Sequence, residues 1–148
     1  MQIVKYPNKI LSQRLKEVKE VTPEIRGLIS DMRKIMVESN GVGLAANQVG
    51  TDAQVFVIDK KLAEENKVSD AYINPEITEY SKEQDEAEEG CLSLPEYFTF
   101  VSRAKKIKIK ALGENGEKIK IKARGFLARV LQHETDHLNG VLIKEKVN

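Results

Sequence analysis

A single cysteine, Cys91, stands among 148 residues, so no disulfide can close within the chain. Histidine is nearly as scarce, with two residues in all. No stretch approaches the roughly 18 apolar residues needed to span a bilayer. The opening MQIVKYPNKILSQRLKEV lacks the apolar core of a signal peptide. An excess of one charge is missing too: 24 Lys and Arg face 23 Asp and Glu, and the formal charge of +1 gives no bulk drive toward nucleic acid or lipid. Neither DNA nor a membrane is therefore an expected partner. These absences point to a reducing cytoplasm, where a lone thiol serves as a ligand, a nucleophile or a core filler rather than a cross-link. The length suits one ordinary domain, residues 1–148, with enough chain to bury a core.

The pattern along the chain mixes helices and strands without repeats or linkers. Thr22-Pro23 followed by EIRGLISDMRKIMVESNG reads as an N-terminal helix with a capping hydroxyl, proline at the first helical position and an apolar stripe from Ile25 to Met36. Asn40-Gly41 stops it. The glycine-punctuated GVGLAANQVG leads into AQVFVID, a β-branched and aromatic run that suggests a buried strand. KLAEENKVSD is polar and reads as a loop, whereas AYINPEITEYS reads as extended chain, because Pro75 disfavours helix at Asn74. After an acidic run, SKEQDEAEEG, comes CLSLPEYFTFVSR. Lys and Ile then alternate on both sides of Asn115-Gly116, a strong hairpin signal with an Ile face that packs and a Lys face toward water. That Lys face, including Lys108, Lys110, Lys118, Lys120 and Lys122, is read as a solvated face whose charges discourage edge pairing, with RNA contact as the alternative. Last, GFLARVLQHETDHLNG has helical spacing and a terminal glycine.

Both histidines, His133 and His137, fall in that last segment, four residues apart, with Glu134 directly after the first. Positions i and i+4 share a helix face, so the pair can offer ring nitrogens to one ion at about 2.0–2.1 Å. This is the H-E-x-x-H pattern. Glu134, about 100° around the helix from His133, falls beside the ion's open coordination position rather than among its ligands. Scattered at random, two histidines would show this spacing about one time in 75 before the glutamate is required. The competing reading is a pair of surface histidines on a solvated helix. Two imidazoles hold a divalent ion weakly, and sites of this kind usually add a third protein ligand and leave a position for water. Cys91, in EGCLSLP, is the candidate; the alternative is a buried thiol acting as a small hydrophobe.

Three segments in this order, GVGLAANQVG, EGCLSLP and QHETDHLNG, resemble the three signature motifs of the peptide deformylases. The likeness extends to IVKYPNKIL near the start and to the strands around Arg103, and covers nearly the whole chain. The resemblance implies an α+β fold, with antiparallel strands packed around a central metal-binding helix. It also implies removal of the N-formyl group from the formylmethionine of nascent polypeptides, with release of formate. By matching position, Cys91, His133 and His137 would hold the metal and Glu134 would act as general base and acid. The Gln48 amide and the backbone N–H of Leu92 would bind the reacting carbonyl. Fe(II) would be the native ion, with Zn, Ni or Co as substitutes. Glu89 and Arg103 match a carboxylate and arginine that pair near the site in relatives, the plain alternative being an exposed pair worth about 0–1 kcal/mol. The methionine pocket would involve Val42, Gly43, Phe126, Val130 and the aliphatic part of Arg129, which otherwise read as ordinary core. Phe98 departs from relatives that carry an arginine contacting the peptide backbone. The chain also lacks the C-terminal helix used by many members to dock on the ribosome, so ribosome contact is left without an assigned mode.

The chemistry matches these residue types. A formamide is an unactivated amide, so its hydrolysis at neutral pH requires a strong nucleophile and a stabilised oxyanion. A metal lowers the pKa of bound water from 15.7 toward about 7 and polarises the carbonyl. Glu134 can take the water proton and return it to the leaving amine. Donors such as Gln48 and the Leu92 N–H address the oxyanion; for Gln48 the competing role is a loop amide satisfying nearby backbone. The glycines of GVGLAANQVG let another backbone approach closely, so an extended peptide can pair there as an added strand. Two further functions stay open at this point: a thiol hydrolase in which His133 activates Cys91, and a non-catalytic metal-binding module.

Overall fold

The computed structural model describes residues 1–146. Its first helix, α1 (Pro23–Glu38), begins where the Thr22 hydroxyl accepts from the Ile25 N–H at 3.3 Å. Ile29, Met32 and Met36 recur on its inner face and are buried. The chain then forms β1 (Gly43–Ala45), a single 3-10 turn over Ala46–Val49, and β2 (Val55–Ile58), whose four residues are all buried. Next comes α2 (Lys60–Glu65), in the segment expected as a loop. Asp59 caps it by accepting from the Leu62 N–H at 3.1 Å, and its side-chain pairs Lys60–Glu64 and Lys61–Glu65 are helical neighbours. With Ala63 as its one buried residue, this turn and a half carries too little apolar periodicity to be seen in sequence.

Two antiparallel sheets follow. β3 (Ala71–Tyr80), β6 (Lys106–Leu112) and β7 (Lys118–Arg124) join the first two strands in a five-stranded sheet of order β1-β2-β3-β6-β7. Between β3 and β6 the chain makes a separate two-stranded sheet, β4 (Gln84–Cys91) and β5 (Leu94–Ala104). The acidic run therefore becomes a strand. It lies at the edge of a small sheet where most of its carboxylates reach water and only Glu89 turns inward to burial. In β3 the register shifts between Ile73 and Glu76, on either side of Pro75, which has no N–H to give the ladder. Asn74 takes φ 51° there, and its side chain closes on Val18 by two bonds of 2.7 and 2.8 Å. The Lys/Ile hairpin has the expected faces: Ile107 and Ile109 are buried and the lysines exposed.

The last helix, α3 (Gly125–Leu138), packs against all five strands of the larger sheet and against β5 of the smaller one. Leu127, Ala128, Leu131 and Leu138 join the main core, where Phe56 and Tyr72 stack with centroids 4.9 Å apart. A smaller apolar cluster of Leu11, Leu94, Val101, Leu142 and Ile143 closes the side toward β5. Gln132 bolts α3 to the end of β5, its amide exchanging bonds with the Ala104 N–H (3.1 Å) and C=O (2.9 Å). The fold is thus α+β, as expected. Among the described residues no helix is long and apolar enough to cross a membrane.

Gly140 ends α3 at φ 77°, and a Cβ there would stand 2.7 Å from the backbone of Ser12. Only glycine meets both conditions without strain. Gly140→Ala is expected to lower unfolding free energy by at least about 1–2 kcal/mol, from the left-handed conformation alone. Urea unfolding checks it, read as a lower midpoint at an unchanged slope.

Candidate metal centre

Four stretches of chain converge on one cleft. The N-terminal residues join two of them: the Val4 N–H donates to the Gln48 C=O (2.6 Å), the Tyr6 N–H to the Ser93 C=O (2.9 Å), and the Ser93 hydroxyl to the Val4 C=O (2.6 Å). Asn47 ties the same region to α3 by donating to the His137 C=O at 2.7 Å. The cleft these contacts frame has a volume of about 480 Å³ and takes in Gln48, Cys91, Leu92, His133 and Glu134.

Within it, ligand atoms of Cys91, His133 and His137 all lie within 4.8 Å of one another. The two Nε2 atoms are 3.1 Å apart, and the Cys91 Sγ is 3.3 Å from the His137 Nε2. Donors on a tetrahedral ion with bonds of about 2.0–2.3 Å stand roughly 3.3–3.6 Å apart, so this set fits a metal after shifts of a few tenths of an ångström. The orientation fits as well. His133 Nδ1 donates to the Glu89 Oε1 at 2.9 Å, which orients the ring so that Nε2 faces the centre, where a bound ion would take the place of a proton. The three residues are thus a group that can hold a metal ion.

Charge is unevenly shared in this pocket. Burial works against a charged His133, but its hydrogen bonds with Cys91 and Glu89 raise the imidazole to about 10. His137, buried and facing that charge, is held well below its ordinary value. Burial raises the Glu134 carboxyl to about 7, against the pull of His133 and Arg103. Glu134 is 3% exposed, and its Oε1 has no hydrogen-bond partner among the described residues. Its other oxygen lies 4.0 Å from the His133 Nε2. Gly43 makes room for it, since a Cβ there would meet the Glu134 Oε2 at 2.5 Å. The Gln48 amide is anchored at one end, where its Oε1 accepts from the Ala45 N–H (3.0 Å), while its Nε2 faces the Ser93 Oγ (3.1 Å) and the Cys91 Sγ (3.5 Å).

Glu89 stands behind His133 as the hub of a buried ionic network. Its carboxylate accepts from Arg103 Nε (3.0 Å) and Nη2 (2.9 Å), from Arg129 Nη1 (2.6 Å) and from His133. Burial would raise its pKa; the hydrogen bonds from His133 and Arg103 instead hold it far below the usual carboxylate range. Arg103 also pairs with Asp136 of α3 at 2.5 Å, and Arg129 with Asp85 of β4 at 2.8 Å. The Glu89–Arg103 pair is therefore buried, at 8% and 4% exposure, not the exposed pair that sequence left open. Val42, Gly43, Phe126, Arg129 and Val130 all line the cleft. Arg129, however, turns its guanidinium away to Glu89, Asp85 and the Val101 C=O. Sequence reasoning missed Asn47, Ser93, Gln132 and Asp136. All four bond to partners distant in the chain, and no local pattern marks that.

Removing the hub's carboxylate would leave two guanidinium groups buried without their common partner. Glu89→Ala is expected to cost about 3–5 kcal/mol in unfolding free energy, measured by urea denaturation. Because this carboxylate titrates below its ordinary range, its stabilisation is fully present above about pH 4.3 and is lost progressively as pH falls. The wild-type chain should then lose more stability than Glu89→Gln between pH 6 and pH 3.

Similar proteins agree with this geometry. The model of the polypeptide deformylase family matches residues 1–148. "Peptide deformylase 1" of Clostridium perfringens is 50% identical over 135 residues, which span 91% of this chain and 89% of that protein. The peptide deformylase of Thermodesulfovibrio yellowstonii is 41% identical over 148 residues, 100% of this chain and 89% of the other. Among solved structures, the peptide deformylase of Thermotoga maritima superimposes with a TM-score of 0.92 at 41% identity, covering 99% of this chain and 97% of that one. With a donor set on α3 and β4 and likenesses that run its full length, the chain belongs to the polypeptide deformylase family.

Proposed function

We propose that the 148 residues form one catalytic domain that removes the formyl group from N-formylmethionyl peptides at the metal centre described above. The observation that carries this reading is the convergence of the Cys91 thiol and the two imidazoles beside a buried Glu134 carboxylate, whose Oε1 has no hydrogen-bond partner among the described residues, in an open cleft. Three protein donors leave a fourth tetrahedral position for chemistry, whereas structural zinc sites are usually closed by four ligands. A divalent ion held by Cys91, His133 and His137 supplies Lewis acidity and an activated water. Fe(II) is the ion we assign, with Zn, Ni or Co able to stand in, because one thiolate and two imidazoles suit each of them.

The remaining work falls to the chain's own groups. Glu134, raised to about 7 by burial, is poised to accept the proton of the attacking water and to deliver it to the departing amine near neutrality. The Gln48 Nε2, held in place through its anchored Oε1, and the Leu92 N–H donate to the oxygen on which negative charge develops. The methionine side chain enters among Val42, Phe126 and Val130, all of which line the cleft. The peptide backbone extends along β1, an end strand of the five-stranded sheet. We place the reaction in the cytoplasm on polypeptides still emerging from the ribosome, where formylated N-termini first appear.

Glu134→Gln keeps the side chain's shape and removes the base. Formate release from a formyl-Met peptide should fall by about 10²–10⁴-fold, while metal content by elemental analysis stays at the wild-type level. Unaltered turnover overturns the assigned role. Chelation should abolish wild-type activity, and added Fe(II) or Co(II) should restore it. Activity that survives complete metal removal would favour a thiol nucleophile, a reading that draws on the 3.3 Å contact between Cys91 and His137.

A further inference from the structure

On the solvent-facing side of the β6 and β7 hairpin, like charges face each other across the strands. Lys106, Lys108 and Lys110 of β6 stand directly opposite Arg124, Lys122 and Lys120 of β7, and all six residues are exposed. Cross-strand partners hold their Cβ atoms about 4.5–5.5 Å apart, so three such pairs are destabilising. The other flank of β6 is matched instead. There β3 sets Glu79 opposite Lys108 and Glu76 opposite Lys110, with ion pairs of 3.0 and 3.6 Å. Lys106, Lys118, Lys120, Lys122 and Arg124 form no ion pair among the described residues.

Protection of a sheet edge explains only part of this pattern. β7 is an end strand, and its lysines discourage a further strand from pairing. β6 lies inside the sheet, between β3 and β7, so its lysines guard no edge. Residues i and i+2 of a strand are about 6.4–6.8 Å apart, which makes Lys118, Lys120, Lys122 and Arg124 a row of cations about 20 Å long, with the β6 row beside it. At one end of the two rows the surface dips into a cavity of about 490 Å³, lined by Lys106, Lys108, Lys122 and Arg124 with Glu79 and Ser81.

A repeating row of cations without counter-charges is complementary to a repeating row of anions, which a phosphodiester backbone presents. Neither strand carries an aromatic residue on which a base could stack, so the contact falls on phosphates rather than bases. Neither carries an exposed large hydrophobic side chain, the second anchor that stable attachment to lipid requires. With β3 beside it, the hairpin cannot enter the major groove of DNA as a free two-stranded ribbon. A broad face suits instead the wide, shallow minor groove of an A-form helix and the phosphates that border it. We infer that the lysine face of β6 and β7 is a docking surface for duplex RNA, held through the phosphate backbone without regard to sequence.

Fluorescence anisotropy of a labelled RNA duplex of about 20 base pairs, titrated with the full, metal-loaded chain, tests this docking. Affinity should fall steeply between about 50 and 200 mM KCl, with a double-logarithmic slope of about −3 for three or four phosphate contacts. Lys118→Gln, Lys120→Gln and Lys122→Gln together should weaken binding at low salt by about tenfold or more and flatten that slope. The urea midpoint of this variant should hold or rise, because two like-charge pairs are relieved, which separates lost contacts from a lost fold. Lys9→Gln, Lys60→Gln and Lys61→Gln remove the same charge from other exposed positions and should leave binding within about threefold of wild type. No saturable binding by the wild type at low salt, or an equal loss in the second variant, overturns the proposal. So does equally tight binding of a DNA duplex, a poly-glutamate peptide or vesicles of anionic lipid, each of which assigns the face to another partner.

Discussion

The carboxylate of Glu89 is the constraint on which the site depends. It belongs to β4, two residues before Cys91, yet its hydrogen-bond partners are Arg103 of β5 and Arg129 and His133 of α3. The two-stranded sheet that carries the thiol and the helix that carries the imidazoles have no common backbone ladder. What registers one against the other is largely this shared anion, reinforced by Arg103 on Asp136 and by Gln132 on Ala104. Buried ion pairs add little net stability when compared with apolar replacements, but they are geometrically demanding. Here the demand falls where three donor atoms from two elements must meet within 4.8 Å.

A second constraint is the absence of a side chain at Gly43. Glu134 fills the space that a Cβ would take, and this keeps the carboxylate buried where its charged form is disfavoured. Burial and close packing thus act together: the same tight approach that shapes the cleft moves Glu134 toward a neutral-pH titration. The N-terminal residues complete the arrangement by holding Gln48 and Ser93 on one strip of backbone, so that the Gln48 Oε1 is fixed by the Ala45 N–H and its Nε2 is turned toward Ser93 and Cys91.

Much of this was legible in the sequence wherever a local period or spacing carried it. The i, i+4 histidines, the capped α1, the buried run of β2 and the alternating Lys/Ile hairpin all depend on neighbours within a few positions. Three spaced motifs then identified the family, and with it the thiol on β4. The rest turned on long-range pairing. The acidic run could not be recognised as a strand, because four of its five carboxylates are exposed and only Glu89 is buried, leaving no apolar alternation to read. The aliphatic part of Arg129 read as pocket lining, and Arg129 does line the cleft. What no local pattern shows is that its guanidinium is held by Glu89, 40 residues earlier, a pairing that exists only once the sheet has closed on the helix.

The division of the cleft into a buried inner half and an exposed outer half follows from how charge is treated in each. Inside, every guanidinium is matched: Arg103 by Glu89 and Asp136, Arg129 by Glu89 and Asp85. That balance lets ionic groups be buried at all, since an unmatched charge there would cost several kcal/mol. It also consumes the cations that would otherwise neutralise the rim. Glu88 and Glu96 are exposed, where water takes the place of a protein partner. The network that builds a precise inner site thereby leaves the rim carboxylates without a free Lys or Arg among the described residues that line the cleft.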